Sequence, residues 1–386
     1  MRHLLKISIG IFLIIISLGV KAQKTPMKGR VVETHSGEPI PFTNIGVQGT
    51  FFGVATDENG YFAIDVPNEY LQKTLAVSAI GYHNKTFVVS ELAGKDVVRI
   101  TLNKETYSFD AVDVTGQSLV AFRVVSDAIK RIPQNYYAKA FGLDFHYLDK
   151  TQVGASEPRI REAVVEMTDK TGYADPEVEN AYRNRKYRYA QVNKNFTPYS
   201  FPDALPAFDA LLSFDIVRMG SSVLNSGLVS SFDLQVDGMS TYEGDSVWVI
   251  SYQKNKPTIA HSGDFFASHI AGKLYILKGS YALVRHEFKI EAPKNNPNDR
   301  SLFTDGKAQT NVTYQVTCVY QPFGAKFLMS YVSEDKQYVD AAGQKIIHSA
   351  KASMLNLKEG IPMFENRNYY EDVSFDKNYW QKFRQK

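Results

Sequence analysis

The sequence predicts a mainly β protein: a small β-sandwich followed by a larger antiparallel β domain, a curled sheet or half-barrel covered by helices. Three observations point there. From Lys28 to about Val114, short β-prone runs are separated by Gly, Pro, Asn and Asp. Between residues 141 and 357, longer runs alternate apolar and polar residues. The composition holds 24 Phe and 23 Tyr with few long apolar runs, which favours strands with aromatic faces over helical bundles.

The chain opens Met1-Arg2-His3 with Lys6 nearby, then carries no charge from Ile7 to Val20, then ends the segment at Val20-Lys21-Ala22. Basic, apolar and small-residue regions in that order predict a secretory signal peptide over residues 1–22, with the mature protein starting at Gln23. The uncharged stretch is shorter than the ~20 residues a spanning helix needs, so no transmembrane segment is expected after its removal. A bacterial lipoprotein needs cysteine at the cleavage point, and the only cysteine is Cys318, so a lipid anchor is not expected. Losing Arg2, Lys6 and Lys21 takes the 44 basic residues to 41, equal to the 41 acidic ones. A balanced chain lacks the basic excess that nucleic acid requires of a partner. One cysteine forms no internal disulfide, so the core alone must hold the fold.

In the first part, Gly29–Glu33, Thr43–Val47, Tyr61–Val66, Leu75–Ala79, Lys85–Val89 and Val97–Leu102 read as strands. Asp57-Glu-Asn-Gly60 supplies a turn that tolerates positive φ and so predicts a tight hairpin. Strands this short at this spacing belong to a sandwich. Within it, Gly37-Glu-Pro-Ile-Pro-Phe-Thr-Asn-Ile45, Gly49-Thr50, Thr56-Asp-Glu-Asn-Gly-Tyr-Phe62 and Ile80-Gly-Tyr82 follow one another in an order and spacing that resembles the carboxypeptidase-regulatory-like domain, over residues 27–114. The resemblance implies a prealbumin-like Greek-key sandwich, an accessory module that also precedes the plug of many TonB-dependent outer-membrane transporters. It implies no peptidase activity. The residues that follow are too few for a plug and a 22-stranded barrel, so a transporter is not expected.

Residues 117–135 read as a linking helix: Val120, Val124, Ala128, Ile129 and Ile132 recur at helical spacing, Ser118 can cap its start and Pro133 can stop it. Residues 136–386 form the second β domain. Its ribbons are Ile160–Thr168, Lys186–Val192, Val247–Tyr252, Lys273–Leu277, Tyr281–Glu291, Asn311–Tyr320, Lys326–Val332 and Lys345–Leu357, each with one apolar and one polar face. A sheet wetted on one side needs a cover on the other. The cover expected is a helix over Asp203–Met219, with Phe208, Leu211, Leu212 and Ile216 as its stripe and Phe214 and Val217 widening it. Trp248 in an apolar strand, then Gly272-Lys-Leu-Tyr-Ile276, then Tyr281-Ala-Leu-Val-Arg285, gives this half an architecture that resembles the LolA-type lipoprotein-carrier half-barrels. Two long loops interrupt it, Asn193–Pro206 with interleaved prolines and aromatics and the Asn-rich Pro293–Gln309.

No catalytic motif stands up to its context. His35-Ser-Gly-Glu38 matches H-x-x-E but occupies an inter-strand turn and lacks the third ligand that zinc needs. Ser333-Glu-Asp-Lys336 and Lys170-Thr-Gly172 match S-x-x-K and K-T-G in inverted order, with Ser333 in a strand and not at a helix start. His286 and His348 each share a face with apolar neighbours and both read as neutral core histidines, and Cys318 reads as a small hydrophobe. Trp248, Tyr275, Phe288 and Tyr314, with Leu212 of the covering helix, are the candidate lining of an apolar ligand pocket; the same aromatics, with Tyr281, also fit ordinary sheet core. No cofactor is expected. The function expected is that of a non-catalytic exported envelope protein binding an apolar small molecule or an envelope partner protein. The alternative is a hydrolase whose active site is scattered through the second domain.

Overall fold

The computed structural model describes residues 24–50, 53–57, 59–104, 114–194, 207–242, 244–293, 310–340, 342–359, 364 and 368–383. The expected signal peptide and nearly all of the two long loops lie outside them. The chain divides between Glu105 and Thr106 into two compact units. It is mainly β, with ten strands of the second unit in one antiparallel sheet that is not closed into a barrel.

Among its described residues the first unit has seven strands: β1 (Lys24–Glu33), β2 (Asn44–Val47), β3 (Gly53–Ala55), β4 (Tyr61–Pro67), β5 (Thr74–Ser78), β6 (Lys85–Val88) and β7 (Val98–Leu102). They form a sheet ordered β4-β1-β7 and another ordered β3-β2-β5-β6, with β1 and β7 parallel. Apolar residues of both sheets, among them Val31, Phe62, Ile100, Ile45 and Val77, make one core. The turn ending at Gly60 is not a hairpin, because β3 and β4 belong to different sheets. It carries the chain from one sheet to the other. Asp57 Oδ1 accepts from the Asn59 and Tyr61 amides at 2.9 and 2.8 Å, and Gly60, at φ +76°, passes so close to β1 that a Cβ would lie 2.4 Å from the Val31 carbonyl oxygen.

In the second unit the strands are β8 (Phe141–Val153), β9 (Arg159–Asp169), β10 (Arg185–Asn193), β11 (Asp233–Tyr242), β12 (Asp245–Asn255), β13 (His269–Leu277), β14 (Leu283–Ala292), β15 (Thr310–Phe323), β16 (Lys326–Val339) and β17 (Lys345–Glu359). Their order is β10-β9-β8-β17-β16-β15-β14-β13-β12-β11. The chain starts in the middle of the sheet, runs out to the β10 edge, crosses to the β11 edge and returns by a meander until β17 pairs with β8. That crossing explains the cover: its helical pieces lie on the apolar face they pass. Phe208 packs its ring on Phe145, Tyr147 and Tyr187, and Phe214 packs on Phe288.

Two helical expectations change. The cover is two short helices, Ala207–Ser213 and Ile216–Met219, and not one helix to Met219; residues 203–206 lie outside the description. The break falls at Asp215, which is fully buried and caps the second piece by accepting from the Arg218 amide at 3.2 Å. The helix read over 117–135 already runs from Val114 to Lys130, so Ser118 does not cap it. Pro133 starts the next short helix, Ile132–Asn135, where no amide is needed. The longer helix packs along β11 and buries Ala121, Val124, Val125 and Ala128 in the core of the second unit, so it covers an edge strand and is part of that unit. Val120, expected inside, is exposed. At the other edge, Asn368 exchanges two hydrogen bonds with the Tyr189 backbone, 2.7 and 2.8 Å, and Trp380 Nε1 donates to the Val192 carbonyl at 2.8 Å. Among the described residues no helix is long and apolar enough to cross a membrane.

Candidate functional site

The strand register divides the five residues expected to line a pocket. Trp248 pairs with Ile276, Phe288 with Gly272 and Val316, and Tyr314 with Ile290, all on the core-facing side. Tyr275 pairs with Val249 and Arg285 and stands on the opposite side, its hydroxyl 3.5 Å from Glu287 Oε2. A residue of odd offset from Trp248's partner cannot share its face. Leu212 belongs to the cover and lines a cleft beside it with Ala181, Tyr182, Tyr187, Asp209 and Met219. The five do not converge on one space.

The core face instead carries two polar groupings. In the first, His286 is 1% exposed, and its Nε2 stands 2.7 Å from the Tyr252 hydroxyl. Its ring stacks with Phe288 and Tyr252 at centroid distances of 4.8 and 5.8 Å. Burial pushes its pKa down to about 3, so the ring is neutral. The buried polar atoms on this face that have no hydrogen-bond partner include His286 Nδ1 and Trp248 Nε1.

In the second, His348 Nε2 lies 3.1 Å from Asp149 Oδ1 and Nδ1 lies 3.6 Å from Glu334 Oε2. Arg161 Nη2 donates to Asp149 Oδ2 at 2.8 Å, and the Tyr147 hydroxyl donates to the same oxygen at 2.9 Å. Burial works to lower the His348 pKa, but the two carboxylates outweigh it and raise the group to about 9. His348 is therefore a cation in an ion-pair group, and not the neutral core residue expected from its apolar neighbours. Asp149, Arg161 and Glu334 were not among the candidate residues; the signal available was a charged side chain at an inward position of an alternating strand.

A third group is structural. Asp169 and Asp215, both fully buried, hold Arg185 and Arg218. Arg218 Nε donates to Asp169 Oδ2 at 2.7 Å, Arg185 Nε to the same oxygen at 3.2 Å, and Arg185 also pairs with Asp215. The hydroxyls of Tyr173 and Tyr320 complete Asp215 at 2.9 and 3.0 Å. Two anions and two cations close on themselves and pin the second cover helix to β9 and β10.

The arrangement most like a catalytic dyad is Ser231 with His261, Oγ to Nε2 at 2.8 Å. The hydrogen bonds around it set the wrong tautomer for a base. The Thr258 amide donates to His261 Nδ1 at 3.2 Å, so the neutral ring carries its proton on Nε2 and donates to Ser231, whose own hydrogen goes to the Leu228 carbonyl at 2.6 Å. Ser333 and Lys336 of the S-x-x-K match point to opposite faces of β16. Lys170-Thr-Gly172 is the turn after β9, whose Thr171 and Gly172 amides donate to Asp169 Oδ1 at 3.1 and 2.9 Å. His35 is 84% exposed and turns to Glu33, not Glu38. The His35 and then the Ser36 amide donate to Glu33 and hold its pKa at about 2. Among the described residues no group of three or more His, Cys, Asp or Glu could hold a metal ion.

These observations can be set beside known proteins. Residues 27–114 match the CarboxypepD_reg-like domain, the class that the strand order and turn residues of the first unit define. The particular proteins matched are more distant. "TonB-dependent receptor P3" of Formosa agariphila is 28% identical over 135 residues, which cover 32% of this chain and only 14% of that receptor. An outer membrane lipoprotein-sorting protein domain from Vibrio parahaemolyticus overlaps 64% of this chain and 96% of its own at 10% identity and a TM-score of 0.30. A LolA superfamily protein from Nitrosomonas europaea overlaps 63% of this chain and 94% of its own at 8% identity and a TM-score of 0.24. Structural overlaps this loose carry no argument about function.

Proposed function

We propose that this chain is a non-catalytic envelope protein, exported by its N-terminal leader to the periplasm and associated there with the outer membrane. The sandwich serves as the accessory module, and the second unit binds an apolar ligand or a partner protein. One observation carries the reading. Among the described residues the apolar face of the ten-stranded sheet is closed by short helices of one connection, not by a second sheet, and the first of them, Ala207–Ser213, contributes no side chain to the buried ion-pair group, so it is the piece that can part from the sheet to admit a ligand. The similarity to a TonB-dependent receptor supports the outer-membrane setting. The proton placement at Ser231 and His261 supports a role without catalysis.

Native mass spectrometry and solvent extraction of the purified full-length chain provide the test. A retained apolar molecule, or saturable binding of the uncharged dye N-phenyl-1-naphthylamine, is the expected result. A chain that retains nothing and does not bind the dye would move the reading to a partner-protein surface.

A further inference from the structure

One buried ring in the second unit is held on three sides with an atom to spare. His286 is clamped between Tyr252 and Phe288, and the Tyr252 hydroxyl fixes its Nε2. Tyr252 reaches across β13 at Gly272, where a Cβ would lie 2.7 Å from that hydroxyl and 2.4 Å from the Glu287 carbonyl oxygen. With the ring so fixed, Nδ1 is buried and without a partner.

Counting unmet groups assigns the tautomer. If Nε2–H donated to Tyr252, the tyrosine's own hydrogen and the bare Nδ1 would both lack partners. If the tyrosine donates to Nε2, the proton sits on Nδ1 and a single donor is unmet. Each unmet buried group costs ~1–3 kcal/mol, so the second arrangement is favoured. Trp248 Nε1, another orphan of the core face, is also a donor and can be nothing else. Both orphans call for an acceptor. A carboxylate is a poor candidate, because the cross-strand neighbours of His286 are Leu274 and Cys318 and a buried anion without a cation costs several kcal/mol.

We infer that His286 Nδ1–H is the polar anchor for an uncharged acceptor oxygen, an ester or amide carbonyl, on an otherwise apolar ligand lying between the sheet and its helical cover. The inference rests on the second unit binding an apolar ligand, and it adds the chemistry of the head group.

Displacement of N-phenyl-1-naphthylamine from the full chain by methyl laurate and by tridecane is the test. The ester should act at about tenfold lower concentration than the alkane, the ratio one added hydrogen bond of ~1.4 kcal/mol gives, and the gap should close in His286→Leu. In the unaltered protein, the imidazole Nδ1 resonance should move with methyl laurate and stay with tridecane, which decides the matter even if the variant does not fold. Equal displacement by the two compounds, or a gap that survives in His286→Leu with Nδ1 unmoved, overturns the anchor. A chain that does not bind the dye at all overturns the apolar-ligand reading beneath it, and the anchor with it.

Discussion

His286 and His348 stand on the same face of the same sheet, each with apolar residues two positions away, and they end in opposite states. His286 in β14 faces Leu274 and Cys318 across its neighbouring strands, meets one phenol and stays neutral. His348 in β17 faces Lys336 and Thr151, and the carboxylates of Asp149 and Glu334 flank Ala350 one pair along. The small side chain of Ala350 lets both carboxylates reach the ring. A histidine's charge in a sheet is thus set by residues remote in sequence, from strands that the fold happens to place beside it.

Removing the partner should therefore cost far more at one site than at the other. Asp149→Ala leaves Arg161 and His348 buried with too little negative charge and should lower stability by ~3–5 kcal/mol, whereas Tyr252→Phe should cost about 1 kcal/mol. Both tryptophans, Trp248 and Trp380, lie in the second unit, so urea titration followed by tryptophan fluorescence reports this unit. Equal losses in the two variants would erase the contrast.

Proton linkage sharpens the same contrast with a sign. The folded pKa of His348, about 9, lies above the ordinary 6.5. Its stabilisation is thus complete below pH 6.5 and is lost as pH rises through 9. The folded pKa of His286, about 3, lies below 6.5, so its contribution is present above pH 6.5 and is lost as pH falls toward 3. Each slope approaches ~1.4 kcal/mol per pH unit within its window. Unfolding midpoints at about pH 5, 6.5 and 8 should show His348→Gln flattening only the alkaline side and His286→Leu only the acid side. Flattening on the other side in either variant would refute the assignment.

The most local effect concerns the backbone that lets Tyr252 reach His286. Gly272→Ala sets a methyl against the Glu287 carbonyl and the Tyr252 ring and should cost ~1–3 kcal/mol. It should also shift the His286 resonances and leave those of His348 in place. A silent substitution would mean that the tyrosine has another route to the ring.

Much of the fold was legible in the residues. The short, evenly spaced runs of the first unit and the alternation in Val312–Tyr320 named the two β architectures, because strands leave a local pattern, whereas the hairpin read at Asp57–Gly60 is a crossing between sheets. Phe141–Val153 carries the same signal in Phe141, Leu143, Phe145 and Tyr147, yet it was not among the ribbons read as strands. Asp233–Tyr242 escaped as well; Gly238 lies at a bulge there and weakens the period. The candidate pocket fared less well. Register could have separated Tyr275 from Trp248 only once β12 and β13 were known to pair as Val249 to Tyr275.

By itself the sequence determined the β character, the sandwich with its family pattern and the apolar and polar sides of most strands, since these follow from spacing along one chain. Tertiary structure alone decided that the sheet begins in its middle, that the crossing to β11 becomes the cover, that Asp215 breaks that cover to join a buried ion-pair network, and that His348 is charged while His286 is not. Each of these depends on which strands meet, and the free energy that settles it comes from partners remote along the chain, 34 residues apart for Tyr252 and His286 and 199 for Asp149 and His348.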